Sequence, residues 1–157
     1  MEKVTINKQA RLSEHFTLSE MCKTSAKTAD GNIPSHVHIE NLKRLCGWLE
    51  MLRSEWNKRY GEGDDPIIIN SGYRSEAVNK AVGGVSGSNH LTGCAVDIRV
   101  AGIEQLVRYA TILLDISDES QEDFDELLLE RSPRGGYWLH FAVRPSGNRR
   151  KVRLIQT

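Results

Sequence analysis

No stretch of the chain approaches the roughly 20 apolar residues that a membrane-spanning helix needs, so no membrane insertion is expected. Met1–Lys8 has no apolar core of signal-peptide length either. The expectation is a protein made and kept in the cytoplasm, which meets a substrate outside the cell only if something else delivers it. Neither sign of charge dominates: 21 Lys and Arg balance 21 Asp and Glu, so no global field draws the chain to nucleic acid or an anionic membrane, and nucleic acid is not expected as a partner. Cysteine is scarce. Cys22, Cys46 and Cys94 are odd in number and widely spaced, with no C-x-x-C pair, which excludes a dithiol redox motif and a cysteine-rich zinc knuckle and leaves reduced thiols. There is no internal repeat or low-complexity tract. The 157 residues suit one domain that buries a core without disulfides. We read it as a monomeric unit with a helical part at about 13–60 and a sheet part at about 65–157.

What is present is periodic. Thr17-Leu-Ser-Glu20 has the spacing of a capping box and opens a short helix. After Pro34 and Ser35, Leu42, Leu45, Cys46, Leu49, Leu52 and Trp56 recur at three- and four-residue steps, predicting an amphipathic helix that ends near Tyr60-Gly61. Ile67-Ile-Ile69 reads as a short buried strand, and Ser75 as the cap of a brief helix through Val82. Val85–Thr92 is a Gly- and Ser-rich loop carrying His90. Ala95–Val100 alternates, with Val96, Ile98 and Val100 on one side and Ala95, Asp97 and Arg99 on the other. Ile103, Leu106, Val107, Ala110, Leu113 and Leu114 keep a helical period before an acidic linker, Asp115–Asp123.

Two alternating strands close the pattern. In the first, Leu127 and Leu129 oppose Glu126, Leu128 and Glu130; in the second, Tyr137, Leu139, Phe141 and Val143 oppose Trp138, His140 and Ala142; Pro133–Gly136 joins them as a hairpin. The basic tail Arg149–Thr157 is either an edge strand or a frayed end. Helices followed mainly by strands predict an α+β fold with a small antiparallel sheet and packed helices.

Asp97 and His140 sit on the polar faces of strands whose other faces are apolar, and His90 precedes the first of them on a glycine-flexible loop. Two imidazoles and a carboxylate make a three-ligand zinc site with a fourth position for water, whose pKa zinc lowers to about 7. A carboxylate is then needed as general base, and Glu130, on the strand paired with that of His140, is the candidate. His36-Val-His38 is a weaker ligand pair, because rings two residues apart on a helix diverge by about 200°. Both are read as surface residues. Cys94 turns with Val96 to the apolar side and is read as a buried free thiol.

Ser71-Gly-Tyr-Arg74-Ser, Ser88-Asn-His90-Leu-Thr-Gly93-Cys-Ala95-Val-Asp97 and Trp138-Leu-His140 together resemble the zinc D-Ala-D-Ala carboxypeptidase family of peptidoglycan-cleaving enzymes, which includes phage endolysins. The likeness runs from about residue 13 to 143, through His15–Glu20 and Val78–Gly84. It implies a hedgehog-like zinc peptidase fold, one Zn2+ held by His90, Asp97 and His140, and Gly93 and Ala95 kept small where loop and strand approach the metal. It also implies Arg74 as the holder of a substrate carboxylate or carbonyl. Ser88 is read as a candidate to bind substrate or to orient His90, or as belonging only to the turn. The family's usual catalytic positions near the last histidine are Tyr137 and Trp138 here; the related subgroup ending in W-x-H implies Glu130 as base. The expected substrate is the peptide stem of peptidoglycan, cut by a phage lysin or virion-associated hydrolase, with a catalytically inactive zinc-stabilised wall-binding module as the alternative.

Overall fold

A computed structural model describes residue 7 and residues 9–157. The expectation for Met1–Lys8 therefore lies, apart from Asn7, outside the described residues. The Thr17 hydroxyl accepts the Glu20 N–H and the Glu20 carboxylate accepts the Thr17 N–H, opening α1 (Leu18–Met21). Ser35 opens α2 (His36–Arg59) in the same reciprocal way, with Nδ1 of His38 in the role of the glutamate. The stripe from Leu42 to Trp56 is buried as its period requires, and the helix stops at Tyr60.

The remaining elements are β1 (Ile69–Ser71), α3 (Glu76–Ala81, capped by Ser75), a 3-10 turn (Asn89–Thr92), β2 (Ala95–Arg99), α4 (Ile103–Ser120), β3 (Glu126–Arg131), β4 (Tyr137–Ala142) and β5 (Lys151–Gln156). The sheet order is β1-β2-β4-β3-β5. Four strands are antiparallel as expected, and the tail adds β5 as an edge strand that pairs with β3 in parallel, making the sheet mixed. The fold is α+β.

Two boundaries differ from the sequence reading. The first strand begins at Ile69 rather than Ile67, and its ladder shifts register between Ile69 and Ser71; Ile67 and Ile69 are still buried on either side of an exposed Ile68. The acidic linker does not exist as such: α4 runs on to Ser120. Its buried face is Leu106, Tyr109, Ala110, Leu113, Ile116 and Ser117, a stripe that continues past Asp115, while Ile103 and Val107 point to solvent. The acidic side chains lie on the solvent side, where they do not oppose a helix packed by its other face.

The core lies between α2, α4 and one face of the sheet. Val96, Ile98, Leu127, Leu139 and Phe141 pack there against Leu45, Leu49, Leu52 and Leu113, with Trp48 against Phe141 (5.4 Å between ring centres) and Trp56 edge-on to Tyr109 (5.0 Å). With one face committed to the helices, the period-two alternation of β2, β3 and β4 sends their polar residues to the other. That face is the floor of a cleft.

Candidate active site

Asp97 on β2 and His140 on β4 are directly opposed in the antiparallel ladder, so their side chains leave the same face side by side. His90 reaches them from the 3-10 turn, and the turn is not the flexible loop its glycines suggest. Ser88 caps it, with Oγ accepting the His90 N–H (3.2 Å), and the His90 Nδ1–H donates to the Gly72 carbonyl (2.7 Å). His90 is 2% exposed. Two motif glycines make this seating possible. A Cβ on Gly72 would overlap the Met21 carbonyl oxygen; one on Gly93, whose φ is +75°, would lie 2.6 Å from that of His38. Gly93 is thus small for the approach of α2, not of the metal.

The three residues offer one ligand atom each, all within 4.8 Å of one another. Nε2 of His90 is 3.4 Å from Oδ2 of Asp97, and Nδ1 of His140 is 3.1 Å from Oδ1. Ligand atoms on a tetrahedral zinc at about 2.0–2.2 Å stand roughly 3.4 Å apart, so the two imidazole–carboxylate distances, one to each Asp97 oxygen, are of the size that ion requires. The charge suits it too. Burial works against the Asp97 carboxylate, but hydrogen bonds from His140 and His90 outweigh it and hold the carboxyl well below its usual range. Burial likewise opposes the His140 imidazolium, yet Asp97 and Glu126 on either side raise its pKa. An ionised carboxylate and an imidazole flanked by carboxylates form a group whose negative charge a cation would satisfy, with His140 giving up its proton on binding.

The other expected residues gather around this trio. Arg74 follows β1; its Nε–H donates to Ser71 Oγ (3.1 Å) and an NH2 hydrogen to Asp97 Oδ2 (3.1 Å), which aims the guanidinium along the metal site. Glu130 lines the same cleft, of about 720 Å³, beside Trp138, its cross-strand neighbour. Burial pushes its carboxyl up from the ordinary range. Ser88 lines the cleft and caps the His90 turn with its one hydroxyl. Cys94 is buried, with Sγ facing the Thr92 carbonyl. His36 is exposed, but His38 is not a plain surface residue: it caps α2 and packs on Tyr73, with ring centres 4.8 Å apart.

Three residues at the site had no role in the sequence reading. The His140 Nε2–H donates to Glu126 Oε1 (3.0 Å), and the same oxygen accepts from Asn89 Nδ2 (2.6 Å). Asn89 also donates to Asp125 Oδ2 (2.8 Å), and Asp125, wholly buried, accepts from the backbone and side chain of Arg149. Glu126 carries a legible signal, since it shares the period-two face of Glu130. Asn89 and Asp125 carry none, because their partners are brought together only by the ladder.

Among described residues no helix is long and apolar enough to cross a membrane. The profile of the peptidase M15 family matches residues 14–116, which contain Arg74, His90 and Asp97. The zinc D-Ala-D-Ala carboxypeptidase of Streptomyces albus G is 30% identical over 84 residues, covering 54% of this chain and only 31% of that relative. The match extends over more than half of the chain and takes in two of the three convergent ligands, and on that ground the chain belongs to the peptidase M15 family.

Proposed function

We propose that this chain is a zinc-dependent peptidase that hydrolyses amide bonds in the peptide stem of bacterial peptidoglycan. The observation that carries the reading is the convergence of His90, Asp97 and His140 on the floor of an open cleft that also holds Glu130. The matching family and the D-Ala-D-Ala carboxypeptidase relative supply the substrate class.

His90, through Nε2, Asp97 and His140, through Nδ1, would hold the ion. Bound there, zinc supplies a Lewis acid that acidifies water and polarises a carbonyl. Glu130 takes the proton from the attacking water and returns it to the leaving amine, a task suited to a carboxyl whose pKa burial has raised. Arg74, with its guanidinium fixed by Ser71 and Asp97, presents its remaining N–H groups to a substrate carboxylate or carbonyl.

The test is release of new amino and carboxyl termini from purified peptidoglycan by zinc-loaded protein, with fragments identified by mass. Wild type is expected to cleave, Glu130→Gln to lose at least 100-fold in rate while binding zinc as wild type does, and His140→Ala to lose both. Wild type that binds zinc and the wall but cuts walls of no chemotype contradicts the reading and makes the chain a binding module. Loss in His140→Ala alone moves the base away from Glu130.

A further inference from the structure

Glu126 stands behind His140, on the side away from Asp97. Its side chain is 15% exposed, and Oε1 receives two hydrogen bonds, from Nε2 of His140 (3.0 Å) and Nδ2 of Asn89 (2.6 Å). Asn89 has no freedom to turn its amide, because its Oδ1 accepts from Arg144 Nε (2.9 Å) while its Nδ2 serves Asp125 and Glu126. Asp125 in turn is pinned by three hydrogen bonds from Arg149. A continuous hydrogen-bonded chain therefore runs from Arg149, two residues before the last strand, to the rear nitrogen of His140.

We propose that Glu126 is a positioning residue of the metal site, fixing His140 in the zinc form as the Nε2–H tautomer with the Nδ1 lone pair free for the ion it would share with Asp97, and that Asn89 ties the same carboxylate to the turn that carries His90. The assignment rests on the zinc reading above. An imidazole with nothing behind it shares its proton between two nitrogens and turns about its Cβ; a carboxylate on Nε2 settles both and makes the other nitrogen a stronger ligand. Because Asn89 is the residue before His90, one carboxylate holds both histidine ligands in register. Glu126 and Glu130 occupy the same face of β3, but Oε1 of Glu126 is committed to His140 and Asn89, leaving Glu130 for the water.

The experiment measures zinc affinity of the whole chain by competition with a chromophoric chelator, and the His140 tautomer by long-range 15N–1H correlation of the histidine-labelled zinc form. Glu126→Ala is expected to weaken zinc binding about 10–100-fold and to remove the Nε2–H signature of His140. Glu126→Gln, whose amide oxygen still accepts that hydrogen, is expected to recover most of the affinity and keep the signature. Should alanine fail to fold, Glu126→Asp draws the carboxylate back by one methylene, and the same two losses are expected of it. Wild-type zinc affinity with an unchanged His140 signature in the alanine or aspartate variant overturns the proposal. So does a glutamine variant that binds zinc as wild type yet hydrolyses nothing, which would make Glu126 the base. Wild type that takes up no zinc in the same titration overturns the zinc reading together with this one.

Discussion

His90, Asp97 and His140 were legible as a set because the zinc chemistry needs those residue types and the S-x-H-x-x-G-x-A-x-D and W-x-H patterns put them at fixed spacing. What holds them was not legible. Glu126, Asn89 and Asp125 act through contacts 14 to 55 residues away in sequence, set by strand register rather than by local pattern. Glycine shows the same division. The sequence marks Gly93 as necessary, but only the packing gives the reason: a left-handed φ of +75° and a site for Cβ 2.6 Å from the His38 carbonyl. Gly93→Ala is therefore expected to cost about 1–3 kcal/mol for the backbone strain, and more for the displaced helix. Urea denaturation checks this; a variant as stable as wild type would show that α2 can move aside freely.

At the scale of elements, capping chemistry and period located α1, α2, α3 and the hairpin strands to within a few residues. The failures came where tertiary packing overrides composition. Asp115–Ser120 is rich in acid and reads as linker, yet Ile116 is 4% exposed against the core and Ser117 1%, so the helix continues. The Ser117 hydroxyl then donates to the Glu122 carbonyl and closes the end (2.5 Å). Ile116→Ala is expected to destabilise by about 2–5 kcal/mol, as a buried isoleucine should. A residue in a solvated linker would change stability by less than about 0.5 kcal/mol, and thermal denaturation distinguishes the two. The last strand was ambiguous for a related reason. Its residues are mostly exposed, and its place depends on pairing with β3 and on Asp125, whose carboxyl accepts the Arg149 backbone N–H while its neighbour in the chain, Glu126, pairs with Lys151.

For the whole molecule, the Asp125 lock ties acid stability to the site. Burial alone would raise its carboxyl, but hydrogen bonds from Arg149 and Asn89 reverse this and bring it to about 2. Its folded value lies below the roughly 3.9 of an unfolded aspartate, so the stabilisation is full above about pH 4.5 and is lost as pH falls through 2; it amounts to about 2 kcal/mol. The difference in unfolding free energy between wild type and Asp125→Asn should accordingly be constant from pH 5 to 7 and shrink toward pH 2. A difference that does not change with pH would assign the lock to packing instead. On the proposed reading, one zinc held by His90, Asp97 and His140 makes this cleft a peptidase. That claim is tested most directly by stripping the protein with a chelator and following peptidoglycan hydrolysis as zinc is returned in measured equivalents. The stripped protein is expected to hydrolyse nothing, with a linear rise to one zinc per chain, a plateau beyond it, and no rise for Asp97→Ala. Hydrolysis that survives stripping, or that rises equally in Asp97→Ala, would contradict it.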